Sequence, residues 1–580
     1  MKKFTEYFAA LLLVLLPLKF GTLAVMPESG GYYPENFTDW FFIANWPPHA
    51  VAFAGVILLL LAAFNCREKL HKWTWIFLLA WCVLPSLLVL PGMIHGDHLI
   101  ALGEISLLSG CGTLIAAVTL LVNKEPEKVA FYAGALLIGG VFTAAYGWYQ
   151  HLVVLDEMRQ FAAEQEAAGI PVSEGLRLKL SDTRIYSTMA SSNILASLLM
   201  IMILIGLFCA EKWSRFINPP KHGKIFLSVL FTGLFFSVLC LTRSRSMIAC
   251  PAVAAILALF SHPAVKKRWK IAGATAGILL AAGGIIWISG QEGRSMASMG
   301  ERIDYWRTCA ILCQDHPLAG AGWGEFFHTH MQIKVSDVKE SARDPHNIVA
   351  SFASQCGIPA GLLMLALMIY PLVILWPHRF RKNLSGAVFW CGVLFTFHSL
   401  IDCDWQTPAM IAVMGILYGC AIAQIYGGSA GKVSPVFYWP VSGLVALTAA
   451  VTSYYYIAGD KALSMLQDKV APATREVETA MSRYTVEELV ADAARYRPGS
   501  AVIYMYAGDW YLQRKNLTAA EKHYFKALEL DPRRPGAYSR LAQLELLRGN
   551  RAQAEKYQLS AQALFPKNPQ YSLESLDEEP

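Results

Sequence analysis

Asn193-Ile194-Leu195-Ala196-Ser197-Leu198-Leu199-Met200-Ile201-Met202-Ile203-Leu204-Ile205-Gly206-Leu207-Phe208-Cys209-Ala210 carries no charge, and Glu211-Lys212 closes the run. As a helix it is long enough to cross most of a bilayer's hydrocarbon, and its polar residues sit at the ends. Its reading decides the fold, because similar runs recur along the whole chain. They predict about thirteen spans, at 8–26, 49–65, 73–93, 99–122, 129–147, 188–210, 225–242, 246–262, 271–289, 347–376, 385–401, 406–426 and 436–458. A count of twelve, losing one span near 385–426, is the alternative. The first run follows Met1-Lys2-Lys3 and can also be read as a cleaved signal peptide; its length and the spans behind it favour a spanning helix.

Composition points the same way. Hydrophobic residues make up 55% of the 580 and charged residues 16%, where soluble domains carry roughly 25% charged. Mean hydropathy is +0.39. The fold class expected is all-α: a polytopic membrane protein with a soluble helical tail. A net charge of +6 is small for this length, and no nucleic-acid partner is expected. The twelve cysteines are scattered through apolar segments without a C-x-x-C pair. They read as small buried hydrophobes, not as a disulfide or zinc framework.

Lysine and arginine fall in every second short loop, from Lys2 and Lys3 through Arg67, Lys124, Lys212, Lys266 and Arg379 to Lys432. The positive-inside rule makes these loops cytoplasmic. Residues 148–187, 290–346 and everything after 459 then face outward; twelve spans would put the tail inside. The expected domains are 1–187, a membrane core at 188–426 that includes loop 290–346, a last span within 427–458, and a tail at 459–580.

The tail repeats itself. Ala501–Pro532 and Pro535–Pro566 match at a period of 34, pairing Gly508 with Ala542, Ala520 with Ala554 and Ala527 with Ala561. This is a tetratricopeptide pattern, in which small residues let paired helices approach closely. Thr485 and Glu488 suggest a capping box opening an earlier helix. The repeats read equally as a stable appendage or as a dock for a protein partner.

The chemistry is expected in the outer loops. Ile303, Trp306, Ala310 and Cys313 recur at helical spacing, predicting an amphipathic helix on the membrane surface. Gly320-Ala321-Gly322-Trp323-Gly324 follows no strand, so it is read as a tight turn bringing backbone N–H groups and Trp323 near a ligand. His328 and His330 are read as ordinary loop histidines, with a metal pair as the alternative. In Arg343-Asp344-Pro345-His346-Asn347, Pro345 holds Asp344 extended and Asn347 precedes a helix. His346 is thereby a candidate proton acceptor above the membrane, against the alternative of an incidental interfacial histidine. Gly357-Ile358-Pro359-Ala360-Gly361 interrupts the next apolar run as a kink would.

Arg243 and Arg245 lie between two apolar runs on the outer side, where arginine is not an anchor; Arg184 sits similarly. Their fork geometry suits phosphate oxygens, and an interhelix salt bridge is the alternative. Asn193, inside a span, also asks for a partner. Three outer arginines and a histidine at one depth suggest a diphosphate-linked lipid and a base. A transporter would place ionisable groups mid-span, whereas Glu104 and Lys19 lie toward span ends.

Together these segments resemble the O-antigen ligase/polymerase (Wzy-C) superfamily of bacterial membrane glycosyltransferases, which includes protein O-oligosaccharyltransferases. The likeness runs from about Arg184 to Pro408. It rests on Arg184…Asn193-Ile194-Leu195-Ala196, on Ser244-Arg245-Ser246, and on Arg302…Trp306…His316-Pro317 through Phe326 to His346-Asn347 and Gly357-Ile358-Pro359. His398-Ser399-Leu400-Ile401-Asp402 completes it. Tyr186–Ser192 departs from the glycine-rich entry usual there. The resemblance implies a GT-C-type fold in a bacterial inner membrane, transferring a glycan from undecaprenyl diphosphate to an acceptor hydroxyl on the periplasmic face, without metal or cofactor. It implies His346 as the base and Arg245 and Arg184 as diphosphate ligands. Arg243, Asn193, Arg302, Asp344, Asn347 and Trp323 complete the expected substrate-binding set. A lipid, glycan or protein acceptor would make the enzyme a ligase, a polymerase or a protein glycosylase.

Overall fold

The computed structural model of the chain describes residues 1–23, 45–167, 180, 183–291, 297–335, 342–427, 433–472 and 475–577. Lys432 and the end of the first expected span, 24–26, lie outside them. Among the described residues the chain is helical, with an isolated antiparallel bridge between Leu70 and Val433 in place of any sheet.

Ten of these helices are long and apolar enough to cross a membrane. The remaining expected spans coincide with Lys2–Lys19, charged at both ends, and with two shorter apolar helices, Ser246–Ser261 and Leu384–Ser399. The two short ones have 16 residues each, about 24 Å at 1.5 Å per residue against a hydrocarbon core of about 30 Å. Both stop at polar junctions, and those junctions carry the site described below.

The basic loops gather at one end of the bundle. Lys2 and Lys128 both pair with Glu125, at 2.5 and 2.7 Å. The Leu70–Val433 bridge joins two more of these loops, and Arg379 Nη2 donates to Ser261 O at 3.0 Å. At the centre, the apolar stretch of His98–Lys124 is wholly enclosed; Val51–Asn65, Pro408–Tyr426 and Pro435–Val470 pack around it.

Two of the helices do not share the bounds of their expected spans. The helix that carries the last expected span, 436–458, does not stop at 458: Pro435–Val470 runs unbroken for 36 residues, about 54 Å, so its outer part leaves the hydrocarbon and becomes the first helix of the tail. There Val486–Tyr496 and Ala501–Gln513 pack on it, and Arg497 is buried against Asp460 and the Tyr456 ring. Thr485 and Glu488 form the reciprocal cap. Ala501–Gln513 and Leu517–Leu530 pair, as do Pro535–Leu547 and Arg551–Leu564. The tail returns to the membrane core where Arg533 Nη2 donates to Glu325 Oε1 at 2.6 Å.

The expected span 347–376 is two helices, Ile348–Cys356 and Ile358–Leu375, divided at Gly357. Gly357 has φ +99° and ψ 154°, a region essentially closed to other residues. A Cβ there would lie 2.0 Å from Leu318 O. Gly357→Ala is therefore expected to cost about 1–3 kcal/mol, visible as a lower thermal unfolding midpoint of the detergent-purified protein. An unchanged midpoint would show that the break is not needed.

Candidate active site

Ser192–Trp213, Ser246–Ser261 and Leu384–Ser399 pack together, and their polar ends meet on one side. Asn193 Nδ2 donates to Asp402 Oδ2 at 2.7 Å, and Ser244 Oγ donates to Asn193 Oδ1 at 2.7 Å. The Ser244 and Ser246 hydroxyls are 2.7 Å apart, and Ser246 Oγ lies 3.2 Å from His398 Nε2. His398 Nδ1 is 2.9 Å from Asp404 Oδ2, which also accepts from Ser197 Oγ at 2.9 Å. This explains the polar residues at the span ends: each satisfies another inside an apolar bundle.

The outer loop completes the cluster. Ala297–Asp315 is a helix whose Ile303 and Trp306 face outward, as an apolar membrane-facing stripe would, while Tyr305, Thr308 and Cys309 point inward. From it Arg302 Nη2 reaches Asp402 Oδ2 at 3.2 Å; Arg302 is 21% exposed and Asp402 5%. Tyr305 stacks on His346 with ring centres 5.7 Å apart.

His346 has φ +55°, a left-handed backbone that a non-glycine residue holds only when its surroundings fix it. Asp344 does so: its Oδ1 accepts from His346 N at 2.8 Å and its Oδ2 from Ser351 Oγ at 3.0 Å. The ring then presents Nδ1 to Asp402 Oδ1 at 3.7 Å and to Cys403 Sγ at 3.2 Å. Burial alone would lower the His346 pKa, but the Asp402 and Asp344 carboxylates outweigh it and raise it above the usual value. Burial would push Asp402 up; His346, His398 and Arg302 together hold it well below the carboxylate range. The two shifts describe one pair, an anion beside an imidazole that gains a proton readily.

Arg184, Arg243 and Arg245 come together at another junction. Arg243 ends the Pro220–Thr242 helix with φ +47°, and Arg245 starts the next one. Arg243 Nη1 donates to Thr183 Oγ1 at 3.0 Å, and Ile185 N to Leu241 O at 3.5 Å, so Arg184 is held beside them. Ser244, between Arg243 and Arg245, ties this junction to Asn193 and so to Asp402.

Two expected substrate contacts are engaged within the protein. Trp323 is 4% exposed; its Nε1 donates to Val89 O at 3.2 Å and its backbone N to Gly92 O at 3.1 Å. The glycine run is a packing joint, because a Cβ on Gly322 would meet Gly96 N at 2.3 Å. Asn347 spends its side-chain oxygen on capping, accepting from Ala350 N at 3.0 Å. His328 and His330 both lie on the Glu325–Ile333 helix, and buried His330 is 3.1 Å from Thr308 Oγ1, its pKa lowered by burial to about 4. Asp402, His398 and Asp404 were missing from the expected site. Their signal was three ionisable residues between two apolar runs, and only folding shows which loop they face.

Fold and site define a multi-pass membrane protein with a semi-buried His–Asp–Arg cluster at one end of its bundle. Residues 229–365 match the family model described as O-antigen ligase (Wzy_C). The match runs from the Pro220–Thr242 helix to the Ile358–Leu375 helix and supports a likeness to O-antigen ligases over those residues. No curated protein sequence matches the chain. Arg243, Arg245, Arg302, Asp344 and His346 fall within the matched residues, whereas Arg184, Asn193, His398 and Asp402 are joined to them by the fold.

Asp402→Ala removes the acceptor used by Arg302, Asn193 Nδ2 and the Cys403 N–H, the last at 2.8 Å. Leaving these donors in a largely buried place is expected to cost about 2–4 kcal/mol, read as a lower unfolding midpoint. Asp402→Asn, which keeps an acceptor oxygen, should recover part of it.

Proposed function

We propose that the protein transfers a glycan from undecaprenyl diphosphate to an acceptor hydroxyl on the periplasmic side of a bacterial inner membrane, without a catalytic metal. The observation that carries this reading is the His346–Asp402–Arg302 cluster, joined through Asn193 and Ser244 to the Arg243–Arg245 junction. One half can take a proton, and the other can hold an anion.

Asp402 favours the tautomer with the proton on Nδ1, leaving His346 Nε2 as the bare nitrogen. Nε2 takes the acceptor hydroxyl's proton while its oxygen attacks the anomeric carbon. The C–O bond to the carrier breaks with its electron pair, and the diphosphate leaves with added negative charge. Arg245, Arg184 and Arg243, fixed at a junction near the hydrocarbon, stabilise that charge more in the transition state than before it. Attack opposite the leaving group inverts the anomeric centre. Arg302 is paired with Asp402, so its first task is to hold the carboxylate in place.

The tail helices, offset by 34 residues, are read as tetratricopeptide repeats that dock a protein or polymer partner. Their approach to the loop helix through Arg533 and Glu325 favours a role near the acceptor side. The acceptor is lipid, glycan or protein; the glycan that shortens when the gene is deleted identifies it.

His346→Asn tests the base directly, since asparagine tolerates a left-handed backbone. With lipid-diphosphate glycan and acceptor, transfer is expected to fall by a factor of about 10²–10⁴ with little change in unfolding midpoint. Arg245→Ala should lower kcat as well as weaken donor binding. If both variants keep full transfer activity, the proposal fails.

The pH profile tests Asp402. His346 must be neutral to act, so transfer rises with pH through its raised pKa, above the usual value of about 6.5. In Asp402→Asn the stabilising anion is gone, so the rising limb should move to lower pH as kcat falls. A limb that stays put would remove Asp402 from the role of fixing His346.

A further inference from the structure

Cys403 has no part in the proposed transfer, yet its sulfur lies 3.2 Å from His346 Nδ1 and 3.7 Å from Asp344 Oδ1. Asp402 Oδ1 is 3.7 Å from the same nitrogen. An imidazole nitrogen, a thiol and a carboxylate oxygen thus lie within 4.8 Å of one another. Zinc bonds of about 2.0–2.3 Å to such atoms separate neighbouring ligands of a tetrahedron by roughly 3.3–3.8 Å, so the two printed separations from Nδ1 need little adjustment. The carboxylate is already oriented: Arg302 and Asn193 hold Oδ2, and Oδ1 accepts from the Cys403 N–H at 2.8 Å, which leaves its second lone pair for the cluster. His346 is 28% exposed, which gives an ion a way in.

We propose that His346 Nδ1, Cys403 Sγ and Asp402 Oδ1 form a binding site for Zn²⁺, and that the bound ion switches the histidine off as a base. The mixed set suits a borderline-soft cation; Mg²⁺ and Ca²⁺ prefer oxygen alone. Binding forms Zn–N, Zn–S and Zn–O bonds, releases the thiol proton and any proton on Nδ1 to solvent, and changes no oxidation state. A metal on Nδ1 leaves the ring's proton on Nε2, the nitrogen that transfer needs bare. Metal occupancy and catalysis therefore exclude each other. The inhibitory half rests on the transfer reading; the binding half does not.

Purified full-length protein titrated with Co²⁺ as a spectroscopic stand-in tests the site. One equivalent should bind with a thiolate-to-cobalt charge-transfer band, Zn²⁺ should displace it, and Cys403→Ser should abolish the band. Binding without that band, or a band that persists in Cys403→Ser, overturns the proposal. Should the variant fail to fold, zinc X-ray absorption on the wild type decides alone, through one sulfur and one imidazole at bonding distance. Wild-type transfer should drop at least about tenfold on filling the site and return with chelator. Transfer unaffected by a filled site overturns the inhibitory half. The sulfur band in a protein that transfers nothing under metal-free conditions supports the site while sinking the transfer reading.

Discussion

The Asp402 carboxylate is where the separate parts of this protein are held in one place. It accepts from Asn193 on one span, from Arg302 on the outer-loop helix and from its own neighbour's N–H, and it faces His346 from the loop's far end. An unpaired carboxylate at this depth would be prohibitively costly, and so would an unpaired Arg302. Each therefore requires the other, and the outer loop cannot leave the bundle without exposing both to that cost. A covering loop becomes part of the site by electrostatic necessity as well as by its own apolar cluster around Tyr305, Leu312 and Phe326.

The two short helices follow from the same constraint. A span of 16 residues leaves several ångströms of hydrocarbon depth unfilled. The residues that follow or precede it, Ser244 to Ser246 and His398 to Asp404, are polar and bonded among themselves. Irregular backbone is tolerated at that depth where it is enclosed by protein. Shortening the helices is what brings charged and hydroxyl side chains below the outer surface, into a setting where arginine and histidine act in a low dielectric.

The helical class and the positions of most spans are legible because each depends on local pattern: apolar length and sidedness of charge. The break at Gly357 was visible as a glycine-proline interruption. A tryptophan beside glycines looks like a ligand platform from sequence, whereas here the glycines let two backbones touch and bury Trp323. At Asn347 a cap and a ligand contact would use the same oxygen, and sequence does not separate the two. Asp402 carries a role that no local pattern discloses: its partners are 209 and 100 residues away in sequence. Such contacts belong to topology, which composition and periodicity do not encode.

Topology also explains the tail. A helix of 36 residues cannot end at the membrane surface, so Pro435–Val470 carries the first tail helices on its own outer turns. Buried Arg497, paired with Asp460 and lying over Tyr456, fixes their angle to that helix. From that fixed angle the repeat helices arc back until Arg533 meets Glu325, on the helix whose His330 contacts Thr308, one turn from Tyr305. Tyr305 stacks on His346. The repeats are thus linked to His346 through one ion pair, the Glu325–Ile333 and Ala297–Asp315 helices and one ring.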